Sequence, residues 1–290
     1  MLPSSAAAGR TGTRYIGVST KMYLGYQASL RWLQEIRSIV QARPALVAGG
    51  PVRVFVIPSF PVLESAHRIL DGVPVLLGAQ NCGWSAGPFT GETSASMLAE
   101  MGVQLVEIGH AERRELFGED DAVIARKTTA ALDSGITPLL CIGEPERMTP
   151  PDAARYCTAQ VLSALEYQQP AEPQPPKPQS PEPQPPEPQP TVPKPLSRTA
   201  QLGSMLLAYE PIWAIGATAP ADPVYVNETV KALRALLQEQ TGTDAVIIYG
   251  GSAGPGLLPQ LGETDGLFLG RFAHDPANFA KVLDEALASH

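Results

Sequence analysis

The feature that most constrains the fold is a rhythm. Eight short apolar runs alternate with longer stretches whose apolar residues recur at helical spacing. The runs at 15–19, 52–57, 75–79, 105–108, 137–142, 205–209, 245–249 and 266–269 are nearly continuous in hydrophobicity, as strands buried on both faces must be. Between them, Leu30, Leu33, Ile36 and Val40 mark an amphipathic helix over 27–42, and Val226, Val230, Leu233 and Leu237 mark another over 224–240. Strands joined through helices pair in parallel with right-handed crossovers. Eight such units predict a closed (β/α)₈ barrel with its helices outside, a doubly wound sheet being the alternative.

The chain has 290 residues, of which 44% are hydrophobic, enough for one full core. A single barrel domain is expected over 14–290, after a disordered Ala/Ser/Gly-rich tail at 1–13. The barrel is interrupted at 170–197 by a segment of a different kind. Half the positions from 170 to 195 are proline, spaced by Gln, Glu, Lys and Ser, which supports neither helix nor strand and predicts a solvated, extended excursion. The net charge of −8 argues against a nucleic-acid or anionic-membrane surface. No apolar run approaches the length of a membrane span. Three cysteines without a CxxC pair suggest a reducing compartment, so a cytoplasmic protein is expected.

In a parallel barrel the residues just past each strand converge on one mouth. Here these are Lys21, Gln80 and Asn81, His110, Glu144, Glu210, Ser252 and Gly270. Glu210 stands between the run ending at Tyr209 and Pro211, which can neither continue a ladder nor leave Glu210 helical. The apolar segment that follows, ending in Gly216 and small residues, suits a closing lid. A carboxylate under such a lid is desolvated and becomes a stronger base. A carboxylate, an imidazole and an ammonium on one rim are the parts needed to move a proton beside a carbonyl. Gly250-Gly251-Ser252, Gly270 and Gly216 offer backbone N–H groups to a phosphate dianion. The combination suggests an isomerase of a small sugar phosphate. The four histidines are scattered, and neither a metal site nor a cofactor is expected.

GHAERRELFGE, CIGE, AYEPIWAIG, IIYGGSAGPG and QNCGWSAGPFTGE resemble the motifs of triosephosphate isomerase from about Tyr15 to Ala286, broken only by the proline-rich insertion. The resemblance implies Glu210 as base, His110 as neutral electrophile and Lys21 as cation. It implies phosphate binding by Gly216, Ser252 and Gly270, support from Glu112, and Cys141 and Glu144 packed behind the site. The family's loop carrying Phe89-Thr90-Gly91-Glu92 reaches beside a partner's active site, so a homodimer is implied, with Thr90 in a supporting place. The implied reaction is the glycolytic and gluconeogenic interconversion of dihydroxyacetone phosphate and glyceraldehyde 3-phosphate through an enediolate.

Several departures fall on the substrate face. Ser19 stands where the family has an amide, Ala111 where it has Ser, and Arg271 where it has a second Gly. Arg271 either points away or adds a guanidinium to the phosphate or a sugar hydroxyl. These changes resemble the branch that isomerises erythrulose phosphate, which stands as the alternative substrate. Glu107, an acid in an apolar strand, is expected to face the outer helices and pair with a basic residue. An alternative of another class is a barrel with impaired catalysis that presents its polyproline segment to a partner.

Overall fold

Eight parallel strands close into a barrel in strict sequence order. The structure is a computed structural model that describes residues 12–166, 197–217 and 219–289. The expected tail at 1–13 and insertion at 170–197 fall almost wholly outside the described residues.

The strands are β1 (Arg14–Ser19), β2 (Val52–Ile57), β3 (Val75–Ala79), β4 (Leu105–Ile108), β5 (Thr137–Ile142), β6 (Leu206–Tyr209), β7 (Val246–Gly251) and β8 (Gly266–Leu269). Pairing of Tyr15 with Gly266 through Val18 with Leu269 joins β8 back to β1. Closure removes both sheet edges, so every strand finds two ladder partners.

Helices α1 (Tyr26–Gln41), α2 (Leu63–Leu70), α3 (Ala95–Glu100), α4 (Ala111–Phe117), α5 (Asp121–Asp133), α6 (Pro150–Ala164), α7 (Arg198–Gly203), α8 (Pro223–Thr241) and α9 (Pro276–Ala288) form the crossovers. Their starts are chemically marked. Ser94, Asp120, Thr149, Ser197, Asp222 and Asp275 each accept a backbone N–H from the first turn, satisfying groups that the helix itself leaves unpaired.

Alternation along the strands separates two cores. Phe55, Ile57, Leu105, Leu139, Cys141, Leu206, Ala208, Ile248 and Phe268 pack inside the barrel. Their neighbours in sequence, including Val56, Val106, Leu140, Leu207, Ile247 and Leu267, pack outward with helix residues such as Leu33, Ile36 and Phe279. This period of two also corrects the expectation for Glu107. It lies two residues from the inward Leu105, so it faces the barrel interior and not the helices, and among the described residues its ion-pair contact is with His110, at 3.9 Å.

Candidate active site

At the mouth formed by the strands' C-terminal ends lies a cavity of about 1000 Å³. Ser19, Lys21, His110, Glu112, Glu210, Gly216, Ser252, Gly270 and Arg271 all line it. Thr90 does not: it sits exposed in the 83–94 loop, next to Phe89, whose ring packs edge-on against Trp84 at 5.3 Å. Gln80, Asn81 and Glu144 lie behind the wall. Gln80 Nε2 donates to the Lys21 carbonyl (2.8 Å), and Asn81 Oδ1 accepts from the buried Lys127 ammonium (2.8 Å).

Lys21 follows β1 with φ of +46°, a left-handed conformation that a side chain with a Cβ adopts at a cost. Its carbonyl is held by Ser59 Oγ (2.7 Å) as well as by Gln80, so neighbouring loops impose the geometry. The ammonium donates to Glu112 Oε1 at 2.6 Å. Burial opposes the charged ammonium, but the hydrogen bond and charge of Glu112, aided by Glu210 and Glu107, outweigh it and raise the lysine pKa. Glu112 is held below the usual carboxylate value, since Lys21 outweighs the effect of partial burial.

His110 caps the start of α4. Its Nδ1 accepts the backbone N–H of Glu112 (3.1 Å), which leaves the ring proton on Nε2. Burial, reinforced by the Lys21 charge, pushes the imidazole down to about 4, so it is neutral near pH 7. Nε2 points toward two carboxyls, Glu210 Oε2 at 3.5 Å and Glu107 Oε1 at 3.9 Å. A neutral imidazole in this position can donate a hydrogen bond to a developing oxyanion. That pairing of carboxylate and neutral imidazole is long established for triosephosphate isomerases.

Glu210 leaves β6 with its N–H bonded to the Ile142 carbonyl (2.8 Å) and its side chain lying over Gly250. Burial raises its pKa to about 8, the Glu107 charge adding to the rise and Lys21 opposing it. The segment beyond it, expected as a lid, is anchored at both ends. Glu144 Oε1 accepts from Trp213 Nε1 (2.8 Å), Tyr225 (2.8 Å) and Tyr209 (3.2 Å). On the far side Ser252 Oγ donates to the Ala217 carbonyl (2.8 Å) and the Ala221 N–H donates to Tyr249 (3.0 Å). Gly216 takes φ of +73°, which glycine adopts without strain.

Two cavity-lining residues were not singled out from the sequence, and a third group, which the sequence marked but aimed the wrong way, lies buried beside them. Tyr23 lies beneath the Arg271 guanidinium at 5.5 Å and beside the His274 ring at 5.6 Å, and His274 Nε2 is 3.3 Å from the Ser19 carbonyl. Both Tyr23 and His274 follow strand ends, which is the signal that could have found them. The third is Glu107, whose carboxyl is pushed up to about 7 by burial, with the Ser19 hydroxyl and Lys21 pulling the other way. Among the described residues no group of His, Cys, Asp and Glu is arranged to hold a metal ion, and no helix is long and apolar enough to cross a membrane.

Residues 14–175 and 189–286 match the family model described as triosephosphate isomerase. The chain is 46% identical to an L-erythrulose-1-phosphate isomerase of Pectobacterium atrosepticum, over 93% of this chain and 95% of that protein. It is 34% identical to a protein of the same name from Mycolicibacterium smegmatis, over 99% of this chain and 98% of that one. It is also 34% identical to a probable triosephosphate isomerase 2 of Listeria monocytogenes, over 92% of this chain and 95% of that one. With its closed barrel and the rim of Lys21, His110 and Glu210, the chain belongs to the triosephosphate isomerase family as a divergent member, an isomerase of sugar phosphates.

Proposed function

We propose that the protein isomerises a four-carbon ketose phosphate, L-erythrulose 1-phosphate, by proton transfer through an enediolate. The observation that carries this reading is the 46% identity to the Pectobacterium isomerase of that name, against 34% to the Listeria triosephosphate isomerase 2. In this substrate C1 bears the phosphate, C2 the carbonyl, and C3 a hydrogen, a hydroxyl and the C4 hydroxymethyl. Ionised Glu210 removes the C3 proton, and the C–H pair becomes the C2–C3 double bond of the enediolate. His110 Nε2–H and the Lys21 ammonium stabilise the oxyanion. His110 passes its Nε2 proton to the oxygen on C2 and takes the C3 hydroxyl proton in exchange, and return of the carbon-bound proton from Glu210 to C2 leaves the carbonyl on C3. The product is again a ketose, so the four-carbon reading replaces the expected aldose–ketose conversion.

Gly216, Ser252 and Gly270 supply the phosphate end, where Arg271 adds a cation held over Tyr23. Glu112 positions the Lys21 ammonium through its 2.6 Å hydrogen bond. The same reading carries a homodimer, in keeping with the exposed apolar residues Met22, Met97, Leu116 and Phe117, and a cytoplasmic place, in keeping with three buried free cysteines.

Interconversion of dihydroxyacetone phosphate and glyceraldehyde 3-phosphate is the second reading, supported by the family match and the Listeria relatives. The scaffold alternative rests on the 170–197 segment, which falls outside the described residues except for Ser197. The test is kcat/KM on erythrulose 1-phosphate and dihydroxyacetone phosphate side by side. Preference for the four-carbon substrate supports the proposal. Preference for the three-carbon one returns the protein to triose chemistry.

A further inference from the structure

Among the described residues, three buried polar atoms at the barrel's inner wall lack a well-formed hydrogen bond: Ser19 Oγ, Glu107 Oε2 and Glu210 Oε2; the Ser19 hydroxyl and Glu107 have only their loose contact with each other. One of them is accounted for by the reaction, since Glu210 is the proposed base. The other two belong to residues the proton transfer does not use. Ser19 is only 3% exposed and Glu107 only 4%, yet Ser19 borders the cavity and Glu107 Oε1 stands 3.9 Å from the His110 Nε2 that faces it. Buried polar atoms without well-formed hydrogen bonds are costly and uncommon, and beside a binding cavity they mark where a ligand's polar group is expected.

The chemistry of the pair narrows that group. A carboxyl with a value near 7 is part protonated at neutral pH, so it can donate to or accept from a hydroxyl, and the Ser19 hydroxyl can do the same. A phosphate or a carboxylate would be repelled there, with Glu210 already adjacent. The phosphate end of the cavity lies at Gly216, Ser252 and Gly270, beyond the ends of β6, β7 and β8. Ser19 on β1 and Glu107 on β4 lie instead around His110 and Glu210, where the reacting carbon sits. A substituent on that carbon, pointing away from phosphate, meets this pair.

We propose that Ser19 and Glu107 form a subsite for the C4 hydroxymethyl group, which makes Glu107 a specificity-determining residue for tetrulose over triose phosphates. The inference rests on the four-carbon reading above and assigns it a residue. A triose phosphate has hydrogen in place of that group and leaves the two side chains with only each other, an under-satisfied polar site of the kind that rejects a smaller substrate most strongly.

The test compares wild type with Glu107→Val and Glu107→Gln on erythrulose 1-phosphate and dihydroxyacetone phosphate. Folding is checked by thermal unfolding, and the phosphate end by calorimetric binding of inorganic phosphate. The ratio of the two kcat/KM values is expected to fall roughly ten- to a hundredfold in Glu107→Val, and less in Glu107→Gln, which keeps a polar group there. An apolar replacement of a buried acid is compatible with folding. Should Glu107→Val fail to fold, Glu107→Gln decides by the same ratio. A ratio within roughly twofold of wild type in the folded variants overturns the inference while leaving the four-carbon function standing. No turnover of erythrulose 1-phosphate by wild type overturns both.

Discussion

Replacing Gly250 by alanine is expected to lower kcat about a hundredfold by displacing one group, the Glu210 carboxyl. A Cβ on Gly250 would stand 2.3 Å from Glu210 Oε1, 2.5 Å from Cγ and 2.8 Å from Cδ. Carbon and oxygen atoms in contact need about 3.5 Å, so the carboxyl must withdraw by roughly 1 Å. A misplacement of that size costs about 10² in rate when the displaced group carries the proton. Gly250 is outside the left-handed region, so alanine strains no backbone there, and the effect is confined to the side chain it meets. Steady-state kinetics at saturating substrate gives the loss, with thermal unfolding as the control for the fold. The decisive comparison is a cycle with Glu210→Gln, which alone is expected to cost roughly 10² to 10⁴. If Gly250 acts only by making room for the base, the double variant is no slower than Glu210→Gln. A Gly250→Ala enzyme within roughly threefold of wild type, or losses that multiply in the double variant, would refute the placement of the base.

The paired carboxyls make two pH predictions. Glu107 is raised to about 7 in the fold from a usual value of 4.5, so its contribution to stability is present below pH 4.5 and lost as pH rises through 7. The loss is on the order of 3 kcal/mol, and urea unfolding should show a shallower decline between pH 5 and 8 in Glu107→Gln; an identical decline would sink the assignment. Glu210 works as base only when ionised, so kcat/KM should climb as pH rises toward 8, and removing the Glu107 charge should move that limb to lower pH. An unmoved limb would mean that the two carboxyls do not interact. Glu144→Ala leaves the hydroxyls of Tyr209 and Tyr225 and the indole of Trp213 without their acceptor, and should lower the unfolding free energy by about 3 kcal/mol. A loss below roughly 0.5 kcal/mol would show that water replaces the carboxylate at the lid's base.

Strand positions were legible because burial on both faces writes each strand as an apolar run, and the boundaries of β2, β3, β4, β5 and β8 coincide with those runs. The same burial hid the orientation of Glu107. Where both faces are apolar, alternation carries no polarity contrast, and only the barrel's closure says which face is interior. β7 extends to Gly251 because its ladder with β8 pairs Gly250 and Gly251 with Phe268 and Leu269, a tertiary fact that glycines do not announce. Helix α7 follows the proline-rich stretch and is six residues long, too short for a helical period to register. The rim residues were legible for a different reason: a parallel barrel gathers whatever follows each strand. Ser19, Lys21, His110, Glu112, Glu210, Gly216, Ser252, Gly270 and Arg271 line one cavity; Gln80, Asn81 and Glu144 stand behind its wall, and Thr90, on a long loop with no strand to aim it, does not reach it. Tyr23 and His274 enter the cavity from the short segments past β1 and β8, where only their position after a strand, and not their residue type, marks them.

The central claim is that Glu210 carries a proton between adjacent carbons of a four-carbon ketose phosphate. Its most direct test is turnover of erythrulose 1-phosphate in D₂O, followed by NMR, for wild type and Glu210→Gln. A base that exchanges with solvent should place deuterium on the carbon that receives the proton in the wild-type product, and Glu210→Gln should yield neither product nor exchange. Hydrogen retained in the wild-type product would mean that Glu210 returns the proton before it exchanges; product or exchange formed by Glu210→Gln at close to the wild-type rate would contradict the account.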